Sequence, residues 1–298
     1  MNPTLRLVLL LLSPIVLGAI SRKLPFSRRF FEFLRSFTTW VILPLIAFMY
    51  VGALMPQEVA ALWSSVTLAV VGVATCFFFS CLFSLRMSKE EGAALVLNSS
   101  FMNVAHLGLP VVYLKLGSSA MSHAVIYAVT VAMLNLFLGT LLMHLLLAKS
   151  PSVRQVFVQT FTFPAVVLLL LAVLLVYLRA PIPQDLHTFF TEKVSPVFLL
   201  LLLLQVGYHL RIEVSRQHLR SLPLVGVSRF LLCPFVTLAT CRLLGFGKTA
   251  LQVSLYLSMM PPAFFNLILV QSLGLDTRPY SLTIFLLTLI SFLFLFFL

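Results

Sequence analysis

The feature that most constrains this chain is a succession of apolar runs, each close to the length that crosses a bilayer. A crossing takes about 20 mostly apolar residues. Ten such runs can be read: 4–21, 36–54, 60–84, 92–115, 120–147, 162–179, 189–208, 221–243, 249–272 and 279–298. In hydrocarbon every backbone N–H and C=O must be satisfied internally, and runs of this length do so as helices. Composition agrees, with 61% hydrophobic and 9% charged residues against about 25% charged in an average soluble domain. A soluble fold coats its surface with polar groups that this chain lacks. The expected fold class is therefore all-α integral membrane protein. Soluble enzymes, disordered proteins and disulfide scaffolds are excluded. The longest plausible soluble connection, 148–161, is too short for a domain.

The net charge of +12 does not point to nucleic acid, because the basic residues lie between the apolar runs rather than on one polar module. There they act as topology signals. Thirteen of the twenty fall on the odd-numbered connections, among them Arg22, Arg28, Arg29, Arg86, Lys149, Arg211, Arg216 and Arg220. Six fall on the N-terminus and the even-numbered connections, and Arg229 lies within a run. The odd connections are expected to be cytoplasmic and both termini outside, in a plasma membrane. Residues 1–21 read as a retained span, since only Arg6 precedes the run and five basic residues follow it by position 36, the reverse of a signal peptide. The cysteines, Cys76, Cys81, Cys233 and Cys241, sit inside apolar runs at spacings that match no metal template. No metal or other cofactor is expected.

The connection at 148–161 divides the runs five and five, giving one repeat over 1–147 and a second over 162–298. An odd number of spans per half turns the second half upside down, as in inverted-repeat transporters. Weak internal similarity fits: Leu43-Pro44 and Gly52 in run two against Ser195-Pro196 and Gly207 in run seven, and two cysteines in each of runs three and eight. The strongest pairing is between runs four and nine. Run four reads Asn103-Val104-Ala105-His106-Leu107-Gly108-Leu109-Pro110, and run nine Met260-Pro261-Pro262-Ala263-Phe264-Phe265-Asn266. Each has proline at mid-depth with an asparagine beside it. Proline removes an N–H and displaces the carbonyl four residues back, and groups freed in hydrocarbon cost several kcal/mol each unless satisfied. Such breaks are expected to face a polar cavity or a ligand, with an anion favoured at a half-helix N-terminus.

At these residues the chain resembles the auxin efflux carrier family. The first family motif has the form Asn-x-x-x-x-Gly-[Leu/Ile]-Pro, here Asn103, Gly108, Leu109 and Pro110. The second resembles Pro-x-x-x-Asn followed by Gly-x-Asp, here Pro262, Asn266, Gly274 and Asp276. Leu43-Pro44, Pro164, Gly207, and Arg229 with Pro234 are further matching features, so the likeness runs over essentially the full length. It implies ten spans in two inverted repeats with spans four and nine crossing at their breaks. It also implies a scaffold of spans 1, 2, 6 and 7, a mobile unit of spans 3–5 and 8–10, and elevator-type transport of a small organic anion such as an auxin or dicarboxylate. Plant-type members form dimers, so a homodimer is among the implied partners. Three departures stand out. Ala105 replaces a usual glycine, Phe264 and Phe265 replace a small residue, and His106 holds a usually apolar position. Substrate identity does not carry over.

The substrate-binding candidates are thus Asn103, His106, Gly108, Pro110, Pro262 and Asn266. For the asparagines the plain alternative is helix–helix hydrogen bonding; for His106 it is a bond to a carbonyl, against substrate contact or proton coupling. Arg229 reads as a buried cation that anchors loops or carbonyls, or as an electrostatic attraction for the anion. No carboxylate lies deep in a run. That argues for uniport driven by the substrate gradient and the membrane potential, about 2.3 kcal/mol per charge per 100 mV, which favours export of an anion. The alternatives are a sodium-coupled symporter of the bile-acid type and a ligand-binding membrane sensor. The chain lacks an Asp-rich diphosphate motif, a zinc helix and a phosphate-cradling loop, so no enzyme is expected.

Overall fold

The computed structural model describes residues 3–25, 27–146, 152–180, 182–210, 221–272 and 276–297. Lys149, Arg211, Arg216, Arg220 and Gly274 of the sequence reading, with the whole connection 211–220, lie outside the described residues. Among the described residues the chain is all-helical, with no strand. Each apolar run coincides with helix. Five helices are long and apolar enough to cross a membrane: Ser27–Gly52, Pro56–Ser84, Ser118–His144, Gln184–His209 and Leu222–Leu243. A sixth counts if Val153–Phe161 and Pro164–Tyr177, bent by 55° at a short break, form one span. The bend has a local cause. Phe163 precedes Pro164 and is extended, with φ −59° and ψ 127°, because the proline ring crowds the α conformation of the residue before it.

Two stretches read as connections carry helices of their own. Residues Ser27–Phe37 form one, with Phe31 and Leu34 buried and Phe31 stacked on Tyr208 at 3.8 Å. Val153–Phe161 forms the other, capped by Ser152, whose hydroxyl accepts from the Gln155 N–H. Basic residues mark both stretches, and charge alone does not reveal that they are helical.

Run four is divided into Lys89–Ser100 and Val104–Leu116, and run nine into Lys248–Ser258 and Phe264–Ser272. In runs two, seven and eight proline lies within a helix that continues past it. Wide π turns occupy Thr38–Ile42, Val104–Gly108, Phe190–Val194 and Ser228–Leu232. Each is followed, at the same distance, by a proline: Pro44, Pro110, Pro196 and Pro234. A wide turn leaves room for the ring and takes up the carbonyl that proline cannot serve. A fifth π turn, Asn135–Gly139, has no such proline.

Helix Pro3–Ser21 packs along Ser195–His209, and Leu43–Gly52 along Pro164–Tyr177. The first pair is held at very short range by glycine. A Cβ on Gly18 would stand 2.0 Å from the Leu204 carbonyl oxygen, and one on Gly207 would stand 1.8 Å from that of Ile15. Backbones approach this closely only where both surfaces are small, the usual device of helix association in lipid. Trp63–Ser84 lies against Lys89–Ser100, Met121–Leu134 and Cys233–Leu243, which bring the candidate site together. The outer surface carries Trp63, Phe78, Leu82 and Phe235, each about two-thirds exposed or more. In water such a surface would aggregate; against acyl chains it is at home. The chain is a membrane protein by this measure.

Candidate functional site

The two interruptions meet. Helix Lys89–Ser100 ends at Phe101, which turns extended at φ −107° and ψ 115°. Residues 101–103 then run antiparallel to 261–263, with Met102 opposite Pro262. The Asn103 N–H donates to the Pro261 carbonyl at 2.7 Å, and the Ala263 N–H donates to the Phe101 carbonyl at 2.9 Å. Met102 and Pro262 form a non-hydrogen-bonded pair, whose flanking residues make both bonds, so a proline without an N–H costs the pairing nothing. Phe101, Met102, Asn103 and Met260 are all buried. Four backbone groups that would each cost several kcal/mol if stranded in hydrocarbon are satisfied by one another. The sequence reading expected a cavity or a ligand to take them; for these four, the partner is the other break.

What remains open lies at the side chains and helix ends. The segments restarting at Val104 and Phe264 begin beside the junction, so the positive ends of two short helices are there. The Gly108 N–H closes the first wide turn onto the Asn103 carbonyl at 3.1 Å. Gly108 is small for a reason: a Cβ there would stand 2.5 Å from Leu257 Cδ2 and 3.4 Å from Met260 Cγ. Pro110 follows as the second residue of Leu109–Leu116. His106 lies inside the wide turn, half-buried.

The two asparagines behave differently. Asn266 is wholly buried. Its Nδ2 donates to the Leu97 carbonyl at 3.0 Å and to Asn98 Oδ1 at 3.3 Å. Its Oδ1 accepts from Asn135 Nδ2 at 3.2 Å. Asn103 is also buried, yet its Nδ2 has no partner among the described residues. Asn135 Oδ1, Ser99 Oγ and Ser254 Oγ are buried and partnerless as well.

Asn98 and Asn135 escaped the sequence reading, though a signal existed. The chain holds five asparagines, and four of them lie inside apolar runs. A primary amide in hydrocarbon is costly unless paired, so four amides in this setting are expected to seek each other. The sequence does not say which pairs form. The structure assigns three, Asn98, Asn135 and Asn266, to one cluster and leaves Asn103 outside it.

Arg229 sits elsewhere, in the wide turn Ser228–Leu232 and fully buried. Its Nη2 donates to Cys76 Sγ at 3.0 Å. A thin link joins it to the junction through Tyr127, whose Oη donates to Met102 Sδ at 3.6 Å. No group of three His, Cys, Asp or Glu side chains is placed to hold a metal among the described residues. No known family model matches the chain, and no curated protein matches it.

Proposed function

We propose that the chain is a secondary transporter of a small organic anion, of the auxin efflux carrier type. In this reading it has ten spans in two inverted five-helix repeats, and the substrate sits where spans four and nine cross. The observation that carries it is the backbone pairing of residues 101–103 with 261–263, flanked by an amide donor, Asn103 Nδ2, that has no partner among the described residues. Two positive helix ends and an idle N–H donor suit a carboxylate, and none of these groups must be desolvated anew to receive it.

Repeat symmetry gains support from reciprocal packing. Span one lies on span seven, and span two on span six. Spans two and seven share the arrangement of helix, wide turn and proline, at Thr38–Ile42 and Phe190–Val194. The elevator movement, the cytoplasmic placing of the basic connections and a homodimer remain part of the proposal on the strength of the resemblance and the charge pattern.

Reconstituted vesicles test it. A panel of aromatic and dicarboxylic anions is offered with voltage, sodium and pH gradients imposed separately. Flux that follows voltage and falls at least tenfold in Asn103→Ala is expected. Binding without flux would establish the sensor alternative, and an absolute requirement for sodium would establish the symporter alternative.

A further inference from the structure

Helix Ser27–Phe37 presents three different sides. Ser27, Phe31 and Leu34 are buried, with Phe31 stacked on Tyr208. Phe30, Phe33 and Phe37 share a second side by their spacing of three and four, and Phe30 and Phe33 are exposed on it. Arg28, Glu32 and Arg35 share a third. Arg29 is exposed between the last two sides, and Lys23 is exposed in the turn before the helix. The charges do not balance. Glu32 answers one cation, Arg28, whose Nε donates to it at 3.0 Å in a pair exposed at both partners. Lys23, Arg29 and Arg35 have no acidic partner among the described residues. Arg22 donates to the carbonyls of Ala19 and Leu210, so Pro3–Ser21 and Ser195–His209 end beside this helix. Nor does the sequence that follows Leu210 neutralise the surplus, since residues 211–220 hold three arginines and one glutamate.

Length places these cations. The helix runs on to Gly52, 26 residues in all, about 39 Å at about 1.5 Å per residue. A hydrocarbon core is about 30 Å thick, so an upright helix stands beyond it by roughly two turns. Charge is kept out of the core, so the projecting turns are the first ones, with Arg28 and Arg29 at headgroup depth. Arg35, deeper by about two turns, extends toward the same level. A soluble acidic partner, or a nucleic acid, would leave Phe30 and Phe33 uncovered. A phospholipid has a part for each side. We propose that Lys23, Arg28, Arg29 and Arg35 bind the headgroup phosphate of an anionic phospholipid whose acyl chains lie against Phe30 and Phe33. The guanidinium fork suits phosphate oxygens, and a zwitterionic lipid, which brings its own cation, leaves the surplus unanswered. The bound lipid fastens together the ends of Pro3–Ser21, Ser27–Gly52 and Ser195–His209. The proposal requires a membrane and does not depend on transport.

The experiment uses the full-length chain reconstituted in phosphatidylcholine brominated along its acyl chains, which quenches tryptophan on contact. The chain has two tryptophans, Trp40 and Trp63, and Trp40 is exposed on the same helix, about one turn past Ser36. In Trp63→Phe, unbrominated phosphatidylglycerol is expected to restore Trp40 emission with about tenfold higher affinity than unbrominated phosphatidylcholine. The preference should fall several-fold in about 0.5 M salt. It should fall to near parity in Arg29→Gln combined with Arg35→Gln, and rise in Glu32→Gln. In Trp40→Phe, Trp63 should report no preference. Equal restoration of Trp40 emission by the two lipids would overturn the site. So would the same preference at Trp63, by making it a property of the whole lipid ring. Loss of the preference on adding soluble glycerol phosphate would overturn it too, by making a free phosphate the occupant.

Discussion

The two interruptions carry the same sequence signature, proline with a nearby asparagine, and they meet residue against residue. Yet their amides are in opposite states. Asn266 is saturated: both its donor and its acceptor are engaged, by Leu97, Asn98 and Asn135. Asn103, whose own N–H makes one bond of the pairing, has a side-chain amide nitrogen with no partner among the described residues. One break is braced and the other is open. Under the proposed reading the two breaks would divide the work, the second supplying rigidity and the first the contact with substrate.

The strongest attack on this contrast is Asn266→Ala. It leaves Asn135 Nδ2 and Asn98 Oδ1 buried without their partner, and each stranded group costs roughly 1–3 kcal/mol. Thermal unfolding of the purified protein should fall by well over what Asn103→Ala costs, since that change removes only an idle donor and is expected to stay within about 1 kcal/mol of wild type. Equal losses would erase the distinction. Gly139→Ala probes the brace from a second side. Its Cβ would meet Asn135 Oδ1 at 2.6 Å, displacing that side chain at a cost of about 1–2 kcal/mol, and Asn103→Ala added to it should give an additive loss. Gly108→Ala presses Leu257 Cδ2, the end of a flexible side chain, so about 1 kcal/mol is expected, read in the same melt. His106→Gln should move stability least, within about 0.5 kcal/mol, because the residue is only half-buried. Its informative readout is flux against pH: a profile flatter than wild type assigns it proton coupling, and an unchanged profile assigns it none.

Much of the fold was legible because the rule that governs it is simple. Hydrocarbon admits only segments that satisfy their own backbones, so the ten runs predict helices, and helices stand at all ten. The breaks were legible for the same reason, since proline at mid-depth violates the rule twice at matching places. What was not legible is where satisfaction comes from. Nothing in Asn103-x-x-His106 or Pro262-x-x-x-Asn266 tells which amide is claimed by a neighbour 130 or more positions away, as Asn266 is by Asn135 and Asn98. The helices at Ser27–Phe37 and Val153–Phe161 were missed because polar and basic residues interrupt their apolar positions, so they look like linkers to a search for unbroken apolar runs. Arg229 was singled out by sequence, but its sulfur partner was beyond reach, because cysteine in an apolar run reads as packing material.

The reciprocal seating of Gly18 under Leu204 and Gly207 under Ile15 has a consequence for how the molecule is made. Helix Pro3–Ser21 finds its principal neighbour, Ser195–His209, only after all the helices between them have been synthesised. Until then its narrow glycine face is turned to lipid or to a chaperone. This pair must therefore dock late, and assembly is expected to join helices already inserted rather than to stack them in the order of their birth. Two fragments severed in the connection between the halves and produced together should therefore find one another.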